Sequence, residues 1–379
     1  MIYLDNAATT KTAPEAVQAM LPYLAENYGN PGSPYRFAEK SRMAVRQARE
    51  RIAEGIGALP EEIFFTSGGS ESDNWALRAV AEMPQARGRH MVTTGIEHPA
   101  ILRTCEWLRQ QGWEVTELPV EKNGILNPDR LREAVREDTA LISVMYANNE
   151  IGTLQPVAEI GAWARERGIL FHTDAVQAYA QVPIDVEREN INMLSGSGHK
   201  FGGPKGCGFL YIRKGVKLGA LIHGGGQERA RRAGTENVPG IVGMGEASRI
   251  AFEKMERRIA WERTLRDHLI GRVLREIPDS SLNGDAVRRL PGNANLSFEG
   301  IESEILLIRL DQEGICASAG SACSTGAAEP SHVLRAIGLT DAQAGSAVRF
   351  TFSGENTMEE TDQVADALKR IVAQLRALR

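Results

Sequence analysis

The chain has 379 residues, of which 42% are hydrophobic and 25% are charged, and its formal net charge is −5 at pH 7. This length suggests two domains, or one large domain with an added lobe, and the composition is that of an ordinary soluble globular protein. No run rich in lysine and arginine indicates binding to nucleic acid or to a membrane surface. Because neither a signal-peptide pattern nor an apolar stretch of membrane-spanning length is visible, we expect a cytoplasmic protein.

From about residue 60, short β-rich runs alternate with helical stretches, a pattern typical of a mostly parallel sheet covered by helices. Strands are predicted at residues 62–66, 90–94, 114–118, 140–146, 169–173, 191–194 and 208–212, and helices at 72–81, 99–110 and 157–167. A long helical stretch ending at about residue 277 is expected to lead into a small α+β unit over residues 278–379. The predicted fold class is therefore α/β, with a large mostly parallel sheet and a smaller α+β part.

Polar residues recur where the predicted strands end, which is the edge at which ligands bind in such sheets. Lys200 follows the strand pattern 191–194 and precedes a Gly/Pro turn, so its amine is expected in a cleft, where desolvation favours Schiff-base chemistry. Asp174 ends an apolar run, and a buried carboxylate is costly unless it meets a cation. Gly69 and Ser70 precede a helix whose free amides suit a phosphate group, although a serine-rich cap without a ligand explains them equally well.

Three more strand-end residues extend this set. His98 is suited to stacking on an aromatic ring and moving protons, or it simply caps the next helix. Asn149 belongs to a pair of amides at a turn, and Gln177 lies one helical turn after Asp174 on the same side. Pyridoxal 5'-phosphate (PLP) requires a lysine for its aldehyde, an acid for its ring nitrogen, a helix N-terminus for its phosphate and donors for its phenolic oxygen. The joint occurrence of these groups predicts a PLP site.

The four cysteines, Cys105, Cys207, Cys316 and Cys323, show no close paired spacing. Neither a disulfide framework nor a zinc site is expected, and no metal is predicted. The first three lie in or beside apolar runs, where a small buried cysteine without a chemical role is the simpler interpretation. Cys323 instead lies among small residues, within 317–330, that follow neither a helix nor a strand period, which predicts a mobile segment.

Motifs that extend over nearly the whole chain support a closer interpretation; they lie at residues 3–10, 29–31, 65–71, 97–98, 148–152, 172–175, 197–200, 232–237, 318–323 and 329–333. Together they resemble the cysteine desulfurases, class-V aminotransferases of the branch that serves nitrogen fixation and iron–sulphur assembly. The resemblance implies a homodimer with the PLP-dependent transferase fold of the aspartate aminotransferase type. It places a large PLP-binding domain at residues 14–255 and a small domain, which carries the catalytic cysteine, at 1–13 and 256–379.

The same resemblance implies roles for individual residues. Lys200 would bond covalently to PLP, with Asp174 at the ring nitrogen, His98 over the ring, and Asn149 and Gln177 at the phenolic oxygen. The phosphate contacts implied are Gly69, Ser70, Ser197 and His199, with Thr235 reaching the phosphate of the other subunit. The substrate carboxylate is assigned to Arg349, whose planar guanidinium suits bidentate binding, with Asn149 nearby.

The catalytic thiol implied by the family is Cys323, with Lys200 and His98 as proton carriers. The implied reaction converts L-cysteine to L-alanine and leaves a persulfide on Cys323 for an iron–sulphur scaffold protein or another sulphur acceptor. A selenocysteine lyase and a catalytically idle PLP-binding partner protein remain open alternatives. The chain departs from the usual family pattern at Gly32 and Tyr35, near the expected entrance, and at the pair Gly69–Ser70, which keeps a small residue and a hydroxyl.

Overall fold

The computed structural model describes residues 1–83, 87–319 and 330–378. Within these ranges the strands are β1 (Ile2–Tyr3), β2 (Ile63–Thr66), β3 (His90–Thr94), β4 (Glu114–Leu118), β5 (Thr139–Ser143), β6 (Leu170–Asp174), β7 (Met193–Ser197), β8 (Gly208–Ile212), β9 (Ser280–Leu282), β10 (Asn293–Phe298), β11 (Ile315–Cys316) and β12 (Ala347–Thr351). The α-helices are α1 (Pro14–Ala25), α2 (Glu39–Glu54), α3 (Gly69–Ala81), α4 (Pro99–Gln110), α5 (Pro128–Ala134), α6 (Val157–Glu166), α7 (Gln227–Ala230), α8 (Val238–Glu253), α9 (Met255–Glu276), α10 (Ser303–Gln312), α11 (His332–Ala336), α12 (Asp341–Ala344) and α13 (Met358–Ala377).

The largest sheet has seven strands in the order β2-β8-β7-β6-β5-β3-β4. Strand β8 is antiparallel to both neighbours, and the other adjacent pairs are parallel. The remaining strands of this sheet therefore run in one direction, and their carboxyl ends share one edge. Successive residues of β2 point into different cores: Phe65 packs in the core that includes Ile52 of α2, and Phe64 packs in the core that includes Trp75 of α3. Apolar side chains on both faces are what a sheet covered by helices on both sides requires.

A second group of elements packs around an antiparallel sheet of order β12-β10-β9. Its core joins Leu265 of α9, Leu296 of β10 and Leu368 of α13. Ile2 and Leu4 complete the same core, and β1 pairs in parallel with β11. The first residues of the chain thus pack with its last third. No described helix combines the length and the apolar character needed to cross a membrane.

The predicted α/β class with a mostly parallel sheet is confirmed, and β2 to β8 lie close to their predicted positions. The helical stretch that we expected up to residue 277 is in fact two helices, divided at Lys254, whose φ of −99° and ψ of 1° leave the helical region. Neither glycine nor proline marks this division. It follows from tertiary packing, because α8 packs against α1 and α2 whereas α9 packs against α13. The domain boundaries stay a prediction.

Candidate active site

The carboxyl edge of the large sheet brings together most of the predicted site residues. Asp174 is the last residue of β6, and Ser197 is the last residue of β7. A single 3-10 turn, Gly198–Lys200, follows β7 directly. Gly69 begins α3 shortly after β2, and His98 is the N-cap of α4, after β3. These positions are distant in sequence, and they become neighbours because the strands that carry them end on the same side.

A cavity of about 420 Å³ lies at the N-terminus of α3. It is lined by the residues predicted for the phosphate, Gly69, Ser70, Ser197 and His199, together with Thr9, Ser67, Gly68, Glu71, Lys205 and Gly206. Because the N-cap residue of α3 is a glycine, no side chain caps the first amides of this helix. Amides in this position, aided by the helix dipole, bind anions.

The glycine at position 69 has a local structural reason. A Cβ atom added to Gly69 would lie 2.5 Å from Cγ2 of Val176, far inside van der Waals contact. The first turn of α3 therefore approaches the segment after β6 as closely as it does because position 69 has no side chain. Glycine at this position, where the chain departs from the family pattern, leaves room for the side chain of Val176.

The side chains of Lys200 and Gln177 meet at the N-terminal segment. Nζ of Lys200 donates to the backbone carbonyls of Ala7 and Ala8, at 2.5 Å and 2.8 Å. Nε2 of Gln177 donates to the same carbonyl of Ala7, at 3.0 Å. The structure thus places both residues at one point, as predicted. It adds the N-terminal segment to the site, a contribution that we did not predict.

Asp174 is buried, with 5% of its surface exposed, and its Oδ1 accepts a hydrogen bond of 2.9 Å from the backbone of Val176. Burial raises the pKa of Asp174, and the charges of His98 and Lys200 oppose that rise. A carboxyl group in this environment is stabilised in its ionised form by an added cation. The surroundings of Asp174 therefore fit a protonated ring nitrogen.

The two histidines of the site have lowered pKa values. Burial lowers the pKa of His98, with Lys200 contributing and Asp174 opposing. Burial, together with Lys200 and Lys205, lowers the pKa of His199 to about 4. Both imidazoles are therefore neutral near pH 7. Nδ1 of His98 accepts from the backbone of Ala100 at 3.1 Å, so this residue does cap α4, one of the alternatives left open by the sequence.

Arg349 reaches the site from β12 and is 2% exposed. Its Nη2 forms an ion pair of 2.8 Å with Oδ1 of Asp5, and its Nη1 donates to the backbone carbonyl of Asn149 at 2.9 Å. The structure therefore brings Arg349 and Asn149 together. Asp5 is a neighbour that we did not predict.

Thr235 is exposed, between α7 and α8, and it does not line the cavity. Three residues earlier, Arg232 forms two hydrogen bonds with the Glu71 carboxylate, at 2.8 Å and 3.1 Å. This pair ties the segment that carries Thr235 to the first turn of α3. Contact of Thr235 with a phosphate of another subunit remains a prediction.

Cys323 lies outside the described residues, but the residues on either side of 320–329 contact the site. Ser318 pairs through its backbone with Arg349. On the other side, Oγ of Ser331 donates to Oε2 of Glu150 at 2.5 Å, and Nε2 of His332 lies 3.0 Å from the backbone oxygen of Glu97. The residues contacted are thus Arg349, a predicted site residue, and Glu150 and Glu97, which are next to the predicted site residues Asn149 and His98.

Two of the other cysteines do not have the environment of reactive thiols. Cys105 and Cys207 are buried, and burial raises the pKa of their thiols to about 12 and about 11. Such thiols stay protonated at neutral pH and are poor nucleophiles. Cys316 is half-buried and pairs with Tyr3 between β11 and β1.

Comparison with known proteins agrees with this geometry. The aminotransferase class-V family matches residues 2–364. The chain is 53% identical to the cysteine desulfurase IscS of Methanosarcina thermophila, over 99% of this chain and 93% of that protein. It belongs to the cysteine desulfurases of the class-V aminotransferase family. Among solved structures, a NifS-like protein has a TM-score of 0.92 at 37% identity, covering 98% of this chain and 99% of its own. SspA in complex with cysteine has a TM-score of 0.83 at 38% identity, covering 94% and 100%.

In this desulfurase, the site residues that we missed have weak local signals. Thr9, whose Oγ1 is 3.1 Å from Nδ1 of His199, lies in a motif that we noted without giving it a role. Asp5 belongs to the same motif. Lys205, in the Gly/Pro turn that follows Lys200, also lines the cavity. Asp73, in α3, is 1% exposed. The signal that could have identified it is the presence of an acidic residue on the buried face of a predicted helix.

Proposed function

We propose that this desulfurase binds PLP at the carboxyl edge of the large sheet and acts on free L-cysteine. The observation that carries the proposal is the convergence of a lysine amine, a buried carboxyl group and an uncapped helix N-terminus, at Lys200, Asp174 and α3, on that single edge. PLP requires these three groups at once. The relative SspA, which has been solved with cysteine, supports the choice of substrate.

The residues of the site fit the cofactor. Asp174 would hold the ring nitrogen, and a cation there would offset the cost of burying this carboxylate. The phosphate would be held by Gly69, Ser70, Ser197, His199 and Thr235 of the partner subunit. The ring would be held by His98, Asn149 and Gln177. When bound, PLP supplies an electron sink that weakens the carbon–sulphur bond of the substrate.

The substrate carboxylate is received by Arg349. Since its guanidinium is already held by Asp5 and by the carbonyl of Asn149, little side-chain freedom is lost when the substrate binds. The amine of Lys200 and the neutral imidazole of His98 move protons between substrate atoms. Because burial lowers the pKa of His98, its imidazole is neutral near pH 7 and is free to accept a proton.

The thiolate of Cys323 attacks the sulphur of the substrate. A sulphur–sulphur bond forms and the carbon–sulphur bond breaks with its electrons left on carbon. That carbon takes up a proton and becomes the methyl group of L-alanine. The persulfide left on Cys323 is passed to an iron–sulphur scaffold protein or another acceptor. The high pKa values of the Cys105 and Cys207 thiols support this assignment, because neither thiol is ionised at neutral pH.

The test is to mix the purified, PLP-loaded protein with L-cysteine and a thiol reductant and to measure alanine and sulphide. We expect sustained release of both in equal amounts. A protein that binds PLP but releases neither would be an idle PLP-binding protein, and the proposal would be wrong. The same assay with selenocysteine tests the other alternative, since a selenocysteine lyase would release alanine from selenocysteine and leave cysteine unchanged.

Asp174→Asn is expected to weaken PLP binding on the order of 10²-fold, because the buried partner of the ring cation loses its charge while its shape is kept. Titration of the apoprotein with PLP, followed by visible absorbance, measures this loss. Asp129→Asn, which removes an exposed carboxylate from α5, is the matched control and should bind PLP like the parent. Equal affinity of Asp174→Asn and the parent would contradict the role of Asp174.

A further inference from the structure

A second buried carboxyl group, that of Asp73 in α3, lies beside Asp174. Asp73 is 1% exposed, and its Oδ1 has no hydrogen-bond partner among the described residues. One carboxyl oxygen of Asp73, one of Asp174 and a ring nitrogen of His98 all lie within 4.8 Å of one another. Buried polar atoms without a partner are uncommon in native proteins, so this oxygen requires an explanation.

A chain of hydrogen bonds in the sheet lies beside Asp73. It includes Ser195, which partly offsets the rise in the pKa of Asp73. Oγ of Ser195 lies 3.0 Å from Nε2 of His172, and Nδ1 of His172 lies 2.9 Å from Oγ of Ser143. Burial lowers the pKa of His172 to about 3, so its imidazole is neutral. Although His172 is only 3.8 Å from Asp73, it therefore supplies no positive charge.

The charges around the two carboxyl groups oppose double ionisation. Burial raises the pKa of Asp73 well above its usual range, and the carboxyl groups of Asp174 and Glu97 raise it further. The positive charges of the site, on Lys200 and His98 when protonated, act on Asp174. Two carboxylates that share one buried site do not ionise together at neutral pH, and the one nearer the cations ionises first.

We propose that Asp73 is a positioning residue for Asp174: a neutral carboxylic acid whose O–H group supports the ionised Asp174 carboxylate while the latter holds the ring nitrogen of PLP. This inference rests on the proposed function. The pair then carries one negative charge, opposite one ring cation. The proton of the acid is then available for Asp174, which lies within 4.8 Å of one Asp73 oxygen. A hydrogen bond between the two groups would give the buried Asp73 carboxyl group a polar partner.

Two variants test whether Asp73 acts as a neutral acid or as a second negative charge beside Asp174. Asp73→Asn is neutral and keeps a donor, so apoprotein with this change should bind PLP within about threefold of the parent, with the same dependence on pH. Asp73→Leu removes the donor, so the pKa of Asp174 rises. The acidic limb of PLP binding should then move up by about one pH unit, so that the affinity at any pH on that limb falls about tenfold. Titrations of apoprotein with PLP between pH 5 and about pH 9 measure both effects.

If Asp73→Asn weakens PLP binding as much as Asp73→Leu, Asp73 acts as a charge and the inference is overturned. If Asp73→Leu binds PLP like the parent across this range, Asp73 does not position Asp174. Should Asp73→Leu fail to fold, Asp73→Asn alone still decides between a neutral acid and a carboxylate.

Infrared difference spectra provide a readout that does not depend on PLP. The parent protein at pH 7 should show one carboxylic-acid C=O band that is absent from Asp73→Asn, whereas identical spectra would overturn the neutral state of Asp73. A parent protein that shows this band but does not bind PLP would overturn the proposed function and, with it, the positioning role, while leaving the protonation of Asp73 established.

Discussion

Lys200→Ala is expected to abolish the visible absorption band of the PLP-loaded protein and to lower alanine formation on the order of 10³-fold or more. Lys200 is the residue whose amine lies at the edge where Asp174 and α3 converge. The variant also loses the two hydrogen bonds from Nζ to Ala7 and Ala8, so part of its defect could come from a displaced N-terminal segment. Absorbance spectra and the alanine assay on the same sample measure both losses.

Lys200→Arg is the matched control for that displacement. Arginine keeps the positive charge and offers donors to the carbonyls of Ala7 and Ala8, but it remains protonated and forms no covalent bond with PLP. We expect it to lose the band and the activity as fully as alanine does, while keeping the thermal stability of the parent. A Lys200 variant that retained both the band and full turnover would show that another amine carries the chemistry.

Cys323→Ser should separate cofactor chemistry from sulphur transfer. The variant should bind PLP normally and still change its visible spectrum when cysteine is added, because those steps use residues of the sheet edge. Alanine release should fall on the order of 10³-fold, since a hydroxyl is a far poorer nucleophile toward sulphur than a thiolate. Undiminished turnover would refute the catalytic role of Cys323.

Cys316→Ser is the control variant, because Cys316 is close to Cys323 in sequence. Cys316 is fixed in β11, where it pairs with Tyr3, and turnover should be largely intact without its thiol. Mass spectrometry after brief exposure to cysteine should find the added sulphur on the Cys323 peptide alone. Persulfide on Cys316, Cys207 or Cys105, with none on Cys323, would assign the acceptor role to a different thiol.

The sequence allowed prediction of those parts of the site that follow a local pattern. Asp174 ends an apolar run, Lys200 follows a strand pattern and precedes a Gly/Pro turn, and Gly69 with Ser70 stands between a strand and a helix. The end of a buried strand fixes a position in space, because parallel strands align their carboxyl ends. Thus even residues far apart in sequence were correctly expected at one edge.

The remaining contacts depend on packing that no local pattern reveals. Asp5 meets Arg349 only because β1 and β12 lie in the same small unit, and no periodicity links these two positions. Asp73 is buried by the face that α3 presents to the sheet, and our predicted helix began only at residue 72, too late to define that face. The proposed contact of Thr235 with a phosphate would require a second subunit, which the sequence of one chain does not position.

The contact of the N-terminal segment with Lys200 and Arg349 has a consequence for biosynthesis. Residues 5–8 are synthesised before their partners, which lie at Lys200 and, much later, in β12. Contacts between such distant segments form slowly, and they cannot form before the later segment has been made. The large sheet can fold during translation, but the site stays incomplete until Arg349 emerges. An interrupted translation product that ends before β12 lacks Arg349, which we propose binds the substrate carboxylate, and is therefore expected to release no sulphide from cysteine.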